Sequence, residues 1–359
     1  MHLSEANTQW ARRAPDERFG SLAALHDKAL GYFTNAKEQT VNTEKLRVVA
    51  RDNDVVLETA RNDVALTNWS FGQLATVAGA PSGYLGDLPA KLAAECVNHG
   101  LRANGDEIGR DNNLLFRKDE HSGMVTLRAL TSERYSRIWN CDITRRLLEL
   151  EAEGTWRPAP AAFDGSRGLY LSDRDMFCFL VDNERRIFES DTGGGLSRGF
   201  FVENSEVGAA SFRLKTFYYQ YVCGNHNVWG VSGVKEIAIR HVGDAMGKAW
   251  GEYEAQIKVY AEASAAEDEA RILSMRTMKL GNNLDEVLDT ILPRKIAGLS
   301  KKVVTAAHDL SLTYEDRYGE PGTVWSLASC LTEIARDLPM ADARRDLESA
   351  AGKVFELAF

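Results

Sequence analysis

The sequence predicts an α+β protein: a mixed or antiparallel sheet, a helical hairpin inserted in it, and a helical C-terminal region. Three observations carry this expectation. Short apolar runs with period-two alternation, separated by polar turns, recur from Leu46 to about Arg240. Residues 69–101 interrupt them with helical character, and from about Ile239 onward Ala, Glu, Lys and Leu dominate. These shifts divide the chain into a polar N-terminal segment with one short helix (1–42), an α+β core (43–240) and a helical region (241–359).

The elements follow in order. Residues 19–40 hold the helix of the first segment. Strands at 46–50 and 55–59 flank Arg51-Asp-Asn-Asp54, a polar connection that suits a hairpin. Ser70 precedes Phe71-Gly-Gln-Leu-Ala and is the expected N-cap of the inserted hairpin's first helix. Gly79-Ala-Pro-Ser-Gly83 breaks the chain before a second helix at 84–101. That pair has the outline of a helix-turn-helix, but its second helix is poor in the Arg, Asn and Gln that read base edges, so packing is its expected role. Strands at 113–117 and 124–130 follow, then a helix at about 143–153 capped by Asn140 or Asp142. Further strands are expected at 168–171, 177–181 and 186–189, with Thr192-Gly-Gly-Gly195 as a flexible connection. Residues 245–278 form one long helix or two, packing through Trp250, Tyr253, Ile257 and Tyr260 at helical spacing.

Composition bounds the function. The chain has 359 residues, 44% of them hydrophobic and 26% charged, enough for a sizeable core. Its formal net charge of −9 excludes a protein that coats nucleic acid through a general basic surface, while leaving room for a local groove. No run reaches the roughly 18 apolar residues of a membrane helix, so no membrane partner is expected. The first twenty residues contain no apolar h-region and predict no signal peptide. Five scattered cysteines resemble no disulfide framework, and the expected setting is a reducing cytoplasm.

The richest segment runs from Asn204 to Trp229. Side chains alternate along a strand, so Phe212, Leu214, Thr216 and Tyr218 share one face. Arg213, Lys215, Phe217, Tyr219 and Tyr221 share the other, two cations followed by three aromatics. Such a face is either a stacking platform for single-stranded bases or the second side of a doubly buried strand. Cys223, Asn225 and His226 follow in a turn. Cys96/His99 and Cys223/His226 are two Cys-x-x-His pairs that could together hold zinc, though packing is the commoner role and no metal or cofactor is expected. Arg128, Arg134 and Arg137 gather before the helix at 143–153, where they form an anion site or pair with Glu133, Asp142 and Glu206. Asp173, Asp175, Asp182 and Glu184 could hold magnesium or serve as polar strand ends. Gly243-Asp-Ala-Met-Gly-Lys248 is one residue short of a phosphate-binding loop. Lys279, Arg294, Lys295, Lys301 and Lys302 make a basic cluster that faces a phosphate backbone or water.

Several of these pieces resemble the phage- and plasmid-associated family known as domain of unknown function number 932. They are Arg128-Ala-Leu-Thr-Ser-Glu-Arg-Tyr-Ser-Arg137, Leu171-Ser-Asp173, Gly199-Phe-Phe-Val-Glu-Asn-Ser-Glu-Val-Gly208, Tyr221-Val-Cys-Gly-Asn225, and Trp325 with Leu331-Thr-Glu333. Together they cover roughly residues 60–340. The chain departs from the pattern at Trp139-Asn140, where Asp-Asn is usual, and at His226, where Gly is usual. The resemblance implies a mobile-element setting and no particular reaction.

The expected function is therefore an accessory protein that binds single-stranded DNA or RNA in recombination or replication, forming a homo-oligomer. Its expected contacts are Arg128, Arg134, Arg137, Arg213, Lys215, Phe217, Tyr219, Tyr221 and Asn225. The competing expectations are a metal- or nucleotide-dependent hydrolase and a regulator that binds a host protein.

Overall fold

The computed structural model describes residues 14–60, 62–103, 111–120, 122–160, 167–187, 196–220, 228–230, 237–243, 245–262, 265–338, 347 and 350–358. Helix α1 (Leu22–Thr34) starts at Ser21, whose hydroxyl accepts from the Ala24 N–H, and buries Leu22, Leu25 and Ala29. Strand β1 (Ala36–Asn42) follows it, so the helix expected over 19–40 ends early and its last quarter is extended. The β2 (Val48–Arg51) and β3 (Asp54–Glu58) hairpin closes on Asp52-Asn53, with Asp52 in the left-handed region at φ 51°.

After β4 (Asp63–Leu66) come helices α2 (Asn68–Val77), α3 (Ser82–Gly86) and α4 (Ala90–Ala103), the inserted helical unit. The cap of α2 is Thr67 rather than Ser70. Thr67 accepts from the Ser70 N–H at 3.0 Å while the Ser70 hydroxyl accepts from the Thr67 N–H at 3.0 Å, a reciprocal capping box. Strands β5 (Asp111–Lys118) and β6 (Val125–Ser132) complete a six-stranded sheet of order β1-β5-β6-β4-β3-β2. Only β4 and β6 run parallel among its pairs.

Helix α5 (Asn140–Ala152) leads into a second sheet. It contains β7 (Trp156–Pro158), β8 (Leu169–Leu171), β9 (Met176–Ile187), β10 (Leu196–Asn204), β11 (Phe212–Gln220), β12 (Val228–Gly230) and β13 (Ile237–Ile239). The order is β12-β11-β10-β9-β7, with β13 on β11 and β8 on β9, and every pair is antiparallel. The strands thus form two sheets where one was expected. Helices α6 (Ala245–Glu262), α7 (Ala265–Thr277), α8 (Leu284–Ile291), α9 (Lys301–Thr313), α10 (Glu315–Tyr318) and α11 (Val324–Asp337) make the C-terminal region. It has a core of its own around Val287, Ile291, Val304, Trp325 and Leu331.

Both faces of the second sheet are covered. On one, Phe200, Phe212 and Leu214 pack with Leu25, Leu147, Tyr253 and Ile257 from α1, α5 and α6. On the other, Tyr170, Phe177, Phe179, Phe201 and Phe217 form an aromatic cluster, with Phe179 and Phe217 meeting edge to face at 5.5 Å. Full burial of each such ring is worth on the order of 1.5–3 kcal/mol. The sequence expectation of a cation–aromatic platform is corrected at Phe217. Its side chain is 0% exposed and cannot stack on a base. Gly199 on β10 makes room for it, because a Cβ there would overlap the Phe217 ring and sit 2.9 Å from the Leu180 carbonyl oxygen.

Candidate functional site

The segment Asn204-Ser-Glu-Val-Gly208 leaves β10 and joins the two sheets. Arg128 on β6 and Glu206 form an ion pair at 2.8 Å, with side chains 1% and 0% exposed. The other Glu206 oxygen accepts the Asn140 N–H at 2.9 Å, so a carboxylate 66 residues away caps α5. Trp139, the residue at the cap position, supplies no capping side chain, which corrects the expectation of Asn140 or Asp142. Asn204 donates to the Ile138 carbonyl and the Asn140 side chain at 2.9 and 2.8 Å. The Val207 carbonyl accepts from Trp69 Nε1 and Gln73 Nε2 on α2 at 2.8 and 2.9 Å. Gly208 sits at φ 82°, where a side chain would be strained. The motif is a clasp in which Asn204, Glu206 and the Val207 carbonyl hold α5, β6 and α2 together.

That clasp positions a cation–aromatic surface. Arg128 Nη2 donates to the Asp173 carbonyl at 3.1 Å, and the Ser205 hydroxyl donates to the Arg174 carbonyl at 2.7 Å. Residues 172–175, the turn between β8 and β9, are therefore fixed by their backbone while the side chains of Asp173 and Arg174 are exposed. The Asp173 carboxylate, 52% exposed, pairs with Arg117 of β5 at 2.8 Å. Arg117 lies over the Tyr32 ring at 4.3 Å and Arg174 over the Trp69 ring at 4.3 Å. Burial opposes the charge on Arg117, but Asp173 and the Tyr32 hydroxyl outweigh it and the guanidinium pKa is raised. Two clefts open beside the Arg117–Asp173 pair. One, of about 320 Å³, is lined by Thr67, Asn68, Trp69, Asp173 and Arg174. The other, of about 250 Å³, includes Lys28, Tyr32, Arg117 and Lys118, balanced by Asp27, Asp119 and Glu120.

The expected site residues are not brought together as one surface. Arg128 is the buried half of the clasp, the ion-pair outcome rather than the anion site. Arg137 donates through Nε to Glu38 at 2.8 Å and lies against the rings of Tyr135 (5.2 Å) and Trp139 (5.5 Å). Tyr135 in turn stacks on His241 at 5.0 Å. Burial, then the Arg137 charge, pushes the His241 pKa down to about 4. Arg134 alone of the three arginines is exposed. Arg213 is half-buried beside Glu203 at 4.0 Å, and Lys215 is half-buried. The side chain of Tyr219 lies outside the description, as do residues Tyr221, Cys223, Asn225 and His226. Of the zinc-type residues that are described, Cys96 packs against the core of the first sheet and His99 is exposed. No group of three or more His, Cys, Asp or Glu able to hold a metal occurs among the described residues.

The acidic candidates have structural partners. Asp175 accepts from the Ser172 hydroxyl at 2.7 Å, and the buried Asp182 accepts the N–H groups of Glu184 and Arg185 at 3.0 and 3.1 Å. In the basic cluster Lys279 pairs with Glu320 at 2.6 Å, while Arg294, Lys295, Lys301 and Lys302 are exposed. No described helix is long and apolar enough to cross a membrane. Sequence reasoning missed Tyr32, Trp69, Arg117 and Arg174. Arg174 sits directly after the quoted Leu171-Ser-Asp173, and that adjacency was the available signal.

The model of the family described as Domain of unknown function (DUF932) matches residues 132–349, more than half of the chain. The match includes Tyr135, Asn140, Asp173, Arg174 and the Asn204–Gly208 clasp, while Tyr32, Trp69, Arg117 and Arg128 precede it. Neither a curated protein nor a solved structure matches the chain.

Proposed function

This chain belongs to the DUF932 family, and we propose that it is a phage- or plasmid-associated accessory protein that binds single-stranded nucleic acid in recombination or replication. The binding surface is the junction face and not strand β11. The observation that carries this reading is the pair of guanidinium–aromatic stacks, Arg174 on Trp69 and Arg117 on Tyr32, each opening on a cleft. A guanidinium backed by a ring is a flat cationic plate on which a base of any sequence can stack, at about 1–3 kcal/mol per base.

Electrostatics sets the kind of binding. The chain is acidic overall and the clefts mix both signs, so long-range steering is weak and stacking dominates. With two or three phosphates met by Lys28, Lys118 and Arg174, the log of the binding constant falls with log salt at a slope of about −1.4 to −2. A fluorescently labelled single strand titrated at several salt concentrations tests this. Arg174→Ala, an exposed position, is expected to weaken binding about 5- to 150-fold, matching the loss of one stacked base. Equal affinity of the Arg174→Ala variant and the parent chain would refute this placement.

A further inference from the structure

Resting on that reading, we propose that the cleft of Trp69, Asp173 and Arg174 selects bases that carry an amino group, guanine above all. Asp173 is the selecting residue. Its backbone is held from two sides. The Arg128 guanidinium donates to its carbonyl at 3.1 Å, and the Ser172 hydroxyl accepts the N–H groups of Arg174 and Asp175 at 3.1 Å each. The carboxylate therefore projects from a fixed turn, half exposed, at the rim of a cleft walled by Thr67, Asn68 and Trp69, beside the indole-backed Arg174 of the same turn. A base lying on the Arg174 plate would present its edge toward that rim.

A carboxylate only accepts hydrogen bonds. Guanine offers two parallel donors, the ring N1–H and the exocyclic amine, which match the two carboxylate oxygens. Cytosine and adenine offer an amine beside a ring nitrogen that accepts. Thymine and uracil offer one N–H between two carbonyl oxygens, which repel the carboxylate. Arg117, paired to the same carboxylate at 2.8 Å, balances its charge against a nearby phosphate. About 320 Å³ is ample for a single base with its sugar, so the preference applies to one position of the strand.

Competition binding with pentanucleotides dTTXTT, where X is G, A, C or T, reads this out as a ratio and not as absolute affinity. The expected result is tighter binding for X = G than for X = T by about 5- to 150-fold, with A and C between. Asp173→Asn, whose amide carries one donor and one acceptor, is expected to abolish or invert that ratio. Asp173→Ala is expected to abolish it as well, because the variant loses both the acceptor for guanine and the repulsion of thymine. Equal binding of all four pentanucleotides, or an unchanged ratio in both variants, overturns the base selection while single-strand binding stands. Failure of every pentanucleotide and of longer strands at low salt overturns both.

Discussion

Replacing Glu206 by Gln should unfold this protein more readily than any change on its surface. The side chain keeps its shape and keeps an oxygen to accept the Asn140 N–H, but Arg128 is left as a lone cation 1% exposed. Breaking one partner out of a buried pair costs about 3–5 kcal/mol, because the remaining charge has lost its compensation. Against a total stability of about 5–15 kcal/mol for a typical domain, that is a third or more. Arg128→Met should cost a similar amount, since it strands the carboxylate and removes a donor to the Asp173 carbonyl. The double variant Arg128→Met/Glu206→Gln removes both charges and should be less damaging than the two costs added, with a coupling of about 2–3 kcal/mol. Urea unfolding followed by circular dichroism measures each of these. A loss below about 1 kcal/mol in either single variant, or strict additivity in the double, would refute the clasp as the joint between the sheets.

Three other outcomes follow from packing and burial. Gly199→Ala drives a methyl into the Phe217 ring and should destabilise by about 1–3 kcal/mol, with partial recovery when combined with Phe217→Leu, measured by the same unfolding assay. Thr67→Ala removes half of a capping box and should cost about 1 kcal/mol without altering the fold. His241 has a folded pKa lowered from 6.5 to about 4, so the unfolded chain takes up its proton first as pH falls. Its contribution is intact above about pH 6.5 and lost progressively toward pH 4, on the order of 3 kcal/mol. His241→Phe should flatten the stability profile across that window, and an unchanged slope would mean the imidazole does not titrate there.

What the sequence could tell was set by range. The hairpin at Asp52-Asn53 and the α6–α7 pair rest on local pattern and stand where expected, while the second inserted helix, expected unbroken over 84–101, is interrupted at 87–89 into α3 and α4. Strand β1 does not, because Ala36–Asn42 is polar and largely exposed at a sheet edge, and becomes a strand only through its ladder to β5. Alternation in β11 correctly separated two faces. Whether the second was covered depended on Phe177, Phe179 and Phe201, which arrive from other strands. Glu206 stood among the three acids considered for the arginine cluster, yet nothing local singled it out from 78 residues away. Trp69 and Arg174 lie in different sheets' connections and meet only through the fold. The Asn204–Gly208 piece of the family signature was legible as a motif, and in the fold it is hydrogen bonding that fixes an architecture.

The central claim is that a single strand binds on the junction face through arginine plates backed by aromatic rings. The direct measurement is the fluorescence anisotropy of a labelled 20-nucleotide single strand at low salt, titrated with the parent chain, Arg174→Ala and Arg213→Ala. The account predicts binding by the parent, a loss of about 5- to 150-fold for Arg174→Ala, and little change for Arg213→Ala on β11. Binding that survives Arg174→Ala but collapses with Arg213→Ala, or no binding by the parent at all, would contradict it.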